Sequence, residues 1–166
     1  MIRDAIFLNN IKVFLSDCDG VLTDAGMYYF DNGLEAKKFN TRDGMAFSLL
    51  KKMNIKIGII TGETTKIVEN RADKLKMDIL YMGATNKKEI VDKICNDNNI
   101  SYENILYVGD DINDIEVLKI VGFSCCPNDA CKEVKIVCNY ICSSNGGYGV
   151  IREIVDKYFR EKNQNE

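Results

Sequence analysis

Short apolar runs alternate with stretches of helical apolar spacing along almost the whole chain, and few folds accept that order. Residues 11–16, 55–60, 79–82 and 105–108 read as buried strands, with residues 122–126 and 136–138 as shorter, later ones. Between them, residues 45–53 carry Met45, Leu49, Leu50 and Met53 at helical spacing, with Asp43 placed to favour that helix's N-terminus. Residues 64–75, 86–98, 112–121 and 150–159 read as the remaining helices. Repeated strand–helix units predict an α/β fold, a doubly wound and mostly parallel sheet covered by helices on both faces. One segment breaks the alternation. Extended runs on either side of Asp31-Asn32-Gly33 carry the Asn-Gly hairpin signal, so a β-hairpin flap is expected over about 26–40.

With 166 residues and 46% hydrophobic content, the chain can bury one core and is too short for two domains of usual size. It is read as a single domain, 1–166, whose polar tail over 161–166 is expected to fray. A net charge of −3 argues against nucleic acid as a partner. No apolar run approaches the roughly 20 residues that span a bilayer. The start, Met1-Ile2-Arg3-Asp4-Ala5, has no signal-peptide pattern, so no membrane partner and a cytoplasmic location are expected. The seven cysteines form no Cys-x-x-Cys pair and the chain has no histidine, so the usual zinc spacings are missing. Small buried thiols in a reducing compartment are the expectation. Cys18, with no histidine to act as its base, reads as a packing residue.

The chemistry gathers at the ends of the strands. Asp17-Cys18-Asp19-Gly20 follows the first apolar run, and an extended backbone turns Asp17 and Asp19 the same way. By itself this is equally an acidic turn. The second strand ends in Thr61-Gly62. The next leads through a loop to Lys87, and the fourth runs into Asp110-Asp111, with Asn113 and Asp114 a turn later. In an open parallel sheet all these ends converge on one edge. Together they make a phosphoryl-transfer site. Asp17 attacks phosphorus; Asp19 protonates the leaving oxygen and then deprotonates the hydrolytic water. Mg²⁺ sits between Asp17, the Asp19 carbonyl and Asp110. Thr61 and Gly62 hold phosphoryl oxygens, Lys87 neutralises them, and Asp114 positions Lys87 or a metal-bound water.

This order of motifs resembles the haloacid dehalogenase superfamily of phosphohydrolases over nearly the whole chain. The matching segments are Asp17-Cys18-Asp19-Gly20-Val21-Leu22-Thr23-Asp24, Thr61-Gly62, Lys87 and Gly109-Asp110-Asp111-Ile112-Asn113-Asp114. A two-component receiver domain also places aspartates, Thr and Lys around Mg²⁺, but there the lysine comes last, whereas Lys87 precedes Asp110-Asp111. The gaps between motifs leave no room for a cap domain with its own core. The site is therefore expected to be open in a monomer, with the apolar hairpin (Met27, Tyr28, Tyr29, Phe30) offered to a second subunit.

Residues 38–44 and 146–153 are similar to segments of the capless 2-keto-3-deoxy sugar-acid phosphatases. That resemblance implies a homotetramer and a substrate that is either 3-deoxy-octulosonate 8-phosphate or a nonulosonate 9-phosphate of the deaminoneuraminate or N-acylneuraminate type. The eight-carbon group usually has Arg after Thr-Gly; this chain has Glu63. Glu63 with Lys74 resembles the nine-carbon group, which is the expectation here, with the octulosonate ester as its alternative. Arg71 and Lys74 share a helical face and are expected to meet a substrate carboxylate, in a site shared between subunits. A non-catalytic scaffold is the reading from a different class, and it would need none of the acidic motifs.

Overall fold

The computed structural model describes residues 10–160. The expected fray over 161–166 and the first residues of the chain lie outside that range. Its sheet is built from β1 (Val13–Ser16), β4 (Lys56–Ile60), β5 (Ile79–Tyr81), β6 (Ile105–Val108), β7 (Phe123–Cys126) and β8 (Tyr140–Ile141), in the order β5-β4-β1-β6-β7-β8. Every pairing is parallel. The chain builds outward from β1 in one direction and then returns to its other side with β6. That reversal opens a crevice at the carboxyl ends of β1 and its neighbours.

The period-2 alternation of the strands sorts the core into two layers. Phe14, Ile57, Ile59, Leu106 and Val108 face one side. They meet helix α1 (Thr41–Lys52) through Phe47 and Leu50, α2 (Lys66–Leu75) through Val68 and Ala72, and the closing helix through Ile151 and Ile154. Val13, Leu15, Ile60, Ile105 and Tyr107 face the other. There they meet α3 (Lys87–Asn98), α4 (Ile115–Ile120) and α5 (Lys132–Val137) through Val91, Ile94, Val117, Leu118 and Val134. The closing helix, α6 (Val150–Val155), continues as a wider π turn over Asp156–Arg160.

One element differs in type from the sequence reading. Residues 136–138 are not a strand. They finish α5, with Val134 buried and Ile136 81% exposed, and the edge strand comes later, at Tyr140–Ile141. A short apolar run does not distinguish strand from helix, and here Val134 and Cys138 pack at i, i+4 spacing. Asp43 lies in the first turn of α1, where it was expected to favour the N-terminus, and Asn40 is the cap, accepting from the Arg42 N–H. The Asp43 carboxylate accepts from the Arg152 N–H at 2.9 Å, so it caps the closing helix across the core.

The hairpin forms as β2 (Tyr28–Tyr29) and β3 (Glu35–Ala36), antiparallel and shorter than the expected flap. Its apolar side chains stand in solvent, with Tyr29 at 66% and Leu34 at 63% exposure. All seven cysteines are free thiols, and Cys18, facing away from Asp17 and Asp19, is fully buried in the core. Among the described residues, no helix is long and apolar enough to cross a membrane.

Candidate active site

Asp17 is the first residue beyond β1, yet its N–H still donates to the Val108 carbonyl at 2.8 Å. Its carboxylate therefore leaves from the last rung of the ladder, where the backbone is rigid. Oδ1 accepts from the Cys18 N–H at 2.6 Å, and Oδ2 meets Lys87 Nζ at 2.8 Å. Lys87 is the first residue of α3, directly after its cap Asn86. It is only 3% exposed.

On its other side Lys87 meets Asp114 Oδ1 at 2.7 Å. Asp114 is fully buried and accepts from three further donors: the Tyr107 hydroxyl at 2.6 Å, and the N–H groups of Asp110 at 3.0 Å and Asp111 at 3.4 Å. Four donors occupy this carboxylate, so its work is to hold Lys87 and shape the Asp110-Asp111 turn. Asp111 in turn accepts from the Ile112 N–H at 2.7 Å and caps the short turn over Ile112–Asp114.

One cleft is lined by Asp17, Asp19, Thr61, Gly62, Glu63, Asp110, Asp111 and Asn113, with Ala25 and Met27 at its hairpin side. Lys87 and Asp114 form the layer beneath. Thr61, at the end of β4, has its N–H on the Tyr81 carbonyl and its carbonyl on the Ala84 N–H, and its hydroxyl accepts from Glu63 N–H. Four strand ends thus meet at one edge. A larger concavity at the β5 edge, lined by Lys56, Asp78, Asp97 and Asn98 among others, has no comparable convergence of functional groups.

Arg71 and Lys74 stay outside this cleft. The Arg71 guanidinium lies over the Phe39 ring and donates to the Asn40 carbonyl at 2.9 Å, while Lys74 is exposed on α2. Lys37 is the residue that sequence reasoning missed. It follows β3, and its ammonium bridges Asp19 Oδ1 at 2.6 Å and Glu63 Oε2 at 2.8 Å. The available signal was Phe39: in an extended segment, residues two apart share a face, and Phe39 packs against the core.

The electrostatics favour a bound cation. Burial, then repulsion from Asp114, pushes Asp17 up to about 7 despite the pull of Lys87. Burial, then Asp17 and Asp114, pushes Asp110 up to about 8. Carboxylate oxygens of Asp17, Asp110 and Asp114 lie within 4.8 Å of one another. Because Asp114 is already saturated, Asp17 and Asp110 are the carboxylates left for a metal. Asp110 Oδ1 is buried without any hydrogen-bond partner, as suits an oxygen that would bind a cation. Gly20 makes the approach possible: at φ +81°, a Cβ there would meet Asp110 Oδ2 at 1.9 Å. Oxygen donors of this kind suit a hard divalent ion such as Mg²⁺.

Residues 80–154 match the family described as haloacid dehalogenase-like hydrolase. Over 151 residues, 89% of this chain and 78% of its relative, the sequence is 38% identical to the 3-deoxy-D-manno-octulosonate 8-phosphate phosphatase KdsC of Salmonella typhi. The chain belongs to the haloacid dehalogenase-like phosphatases. Among solved phosphatases of this family, the Moraxella catarrhalis 3-deoxy-D-manno-octulosonate 8-phosphate phosphatase, in complex with magnesium, phosphate and KDO, superposes with a TM-score of 0.94. That match is 29% identical and covers 99% of this chain and 94% of the other. The cobalt-bound Haemophilus influenzae phosphatase gives 0.89 at 29% identity, covering 95% and 92%. Among the described residues, this haloacid dehalogenase-like phosphatase has no cap domain. Only the hairpin and α1 separate β1 from β4, and only α2 and β5 separate β4 from Lys87.

Proposed function

We propose that this chain hydrolyses the phosphate ester of a 2-keto-3-deoxy sugar acid, with 3-deoxy-octulosonate 8-phosphate as substrate, through a phosphorylated Asp17. The observation that carries the chemistry is the Asp17 carboxylate, fixed on a rigid strand end against buried Lys87 and beside the unpartnered Asp110 oxygen. The names of the relatives support the eight-carbon substrate.

In the first step the Asp17 carboxylate oxygen forms a bond to phosphorus as the ester P–O bond breaks, and the leaving oxygen takes the proton of the Asp19 carboxyl. In the second, the Asp19 carboxylate takes a proton from water as that water displaces Asp17 from phosphorus, which restores both groups and releases phosphate. Thr61 and Gly62 bind phosphoryl oxygens, and Lys87 offsets their charge. Asp111, Asn113 and Asp114 keep the metal-side turn and Lys87 in place. Mg²⁺, held by Asp17, the Asp19 backbone carbonyl and Asp110, would supply further charge neutralisation at the transferring group.

A nonulosonate 9-phosphate is the second reading. Glu63 favours it, because this acid lines the cleft at the position where the chain departs from the eight-carbon group. The test is kcat/KM for release of phosphate from both esters with and without Mg²⁺. Preference for the nine-carbon ester would overturn the first assignment, and Glu63→Arg should move the ratio toward the eight-carbon ester. Loss of all activity in Asp17→Asn is expected, and phosphate release that survives it would refute the mechanism.

The exposed apolar hairpin is the face we assign to self-association, as a homotetramer in which Arg71 and Lys74 of one subunit serve a neighbour's substrate carboxylate. Sedimentation of a fully active monomer would overturn this. Seven free thiols suit a cytoplasmic location.

A further inference from the structure

Two ammonium groups serve this site, and they share no carboxylate. Lys87 pairs with Asp17 and Asp114 beneath the cleft, whereas Lys37 pairs with Asp19 and Glu63 at its hairpin side. The Lys37 side chain is 2% exposed, unusual for a lysine in a flap whose other large side chains stand in solvent. It reaches Asp19 from 18 positions away in the chain.

The contacts on Asp19 are one-sided. Oδ1 accepts from Lys37 at 2.6 Å and from the Thr23 hydroxyl at 3.2 Å, while Oδ2 is buried with no partner at all. A carboxylate on a loop would otherwise rotate freely. A proton donor must keep one oxygen within about 3 Å of the atom it serves. Anchoring Oδ1 fixes the orientation of the pair and leaves Oδ2 as the oxygen able to exchange a proton.

We infer that Lys37 is the positioning residue for proton transfer by Asp19, and that through Glu63 it ties this orientation to the substrate-facing loop after β4. The inference rests on reading Asp19 as the proton donor of the proposed phosphatase. No proton leaves Lys37 in either step; it acts only through the geometry of Asp19.

The experiment compares two esters that differ in their need for a proton. A sugar or alkyl oxygen leaves well only when protonated, whereas a p-nitrophenolate leaves without help. In the Mg²⁺-loaded enzyme, Lys37→Met is expected to lower kcat/KM for 3-deoxy-octulosonate 8-phosphate, which reports the step in which the leaving group departs, at least ~100-fold, the low end of a general acid's contribution. Its kcat/KM for p-nitrophenyl phosphate should change by less than about fivefold, a contrast that a merely structural role would not produce; kcat, which includes hydrolysis of the shared phospho-Asp17 with Asp19 as base, should fall for both. Lys37→Arg keeps the charge and should recover part of the loss. Lys37→Gln serves if the Met variant does not fold, and Thr23→Val should give a weaker form of the same selective loss. Equal losses of kcat/KM on both esters, or none on either, would overturn the role given to Lys37. If the unaltered enzyme releases phosphate from neither ester, it is the phosphatase reading that fails.

Discussion

Replacing Asp114 by Asn removes the anchor of the layer beneath the cleft without changing its shape. Asp114 is fully buried and accepts from Lys87, Tyr107 and the N–H groups of Asp110 and Asp111. If the amide oxygen keeps the two backbone donors, the amide nitrogen is turned toward the Lys87 ammonium and the Tyr107 hydroxyl, donor against donor. Breaking one side of a buried ion pair costs about 3–5 kcal/mol. Asp17 stays within 2.8 Å of Lys87 and softens the loss, so about 3 kcal/mol is expected. For a chain of this size that lowers Tm by about 6–12 °C, or the urea midpoint by about 1.5 M. The assay is equilibrium unfolding followed by circular dichroism in EDTA, so that bound metal does not contribute. A double-mutant cycle with Lys87→Met sharpens it. Without the lysine, Asp114 and Asp17 repel, so Asp114→Asn should cost about 2 kcal/mol less in that background. A loss under about 1 kcal/mol in the single variant, or additivity within about 0.5 kcal/mol, would refute the reasoning.

Two other outcomes follow from buried acids. Asp17 and Asp110, at about 7 and about 8 without metal, must shed protons to bind a cation, so Mg²⁺ affinity should weaken as pH falls. Titration calorimetry should show at least ~10-fold weaker binding at pH 6 than at pH 8, and equal affinities would contradict the assignment of these ligands. Asp43 is pushed up to about 6 by burial, so the folded chain binds its proton more tightly than the unfolded chain does. That group's contribution falls as pH rises from about 4 to about 6 and is level above. Asp43→Asn keeps an oxygen for the Arg152 N–H and removes the charge. Its urea stability relative to the parent should therefore improve by about 1–3 kcal/mol between pH 4 and pH 7, and a pH-independent difference would refute it.

The strand ends were legible because each rests on a local pattern, an apolar run stopped by Asp or Thr with Gly nearby. Asp17, Asp19, Thr61 and Asp110 do line one cleft, with Lys87 just below it. The role of Asp114 was half legible: holding Lys87 was one of two alternatives, and its four donors select it. Lys37 was faintly legible at best: its two-residue spacing from Phe39 hinted at an inward face, but it sits beside Lys38 in a hairpin with the look of a solvated face, and its partners are 18 and 26 positions away. The same holds for Asp43, whose nearest helix terminus in sequence is not the one its carboxylate serves. Arg71 has a spacing that suggested a ligand contact across subunits; within its own chain it stacks on Phe39 and donates to the Asn40 carbonyl, while its Nε is buried with no partner.

Near its end the chain returns to the catalytic loop: a Cβ on Gly146 would lie 2.1 Å from the Gly20 carbonyl, and the Gly147 N–H donates to Val21 at 2.9 Å. The loop bearing Asp17 and Asp19 is thus backed by main chain that lies far from it in sequence, beyond every acidic motif of the site. A polypeptide cut before Gly146 would keep those motifs and lose this backing. Any bulkier residue at the glycine corner would reach those aspartates through the main chain.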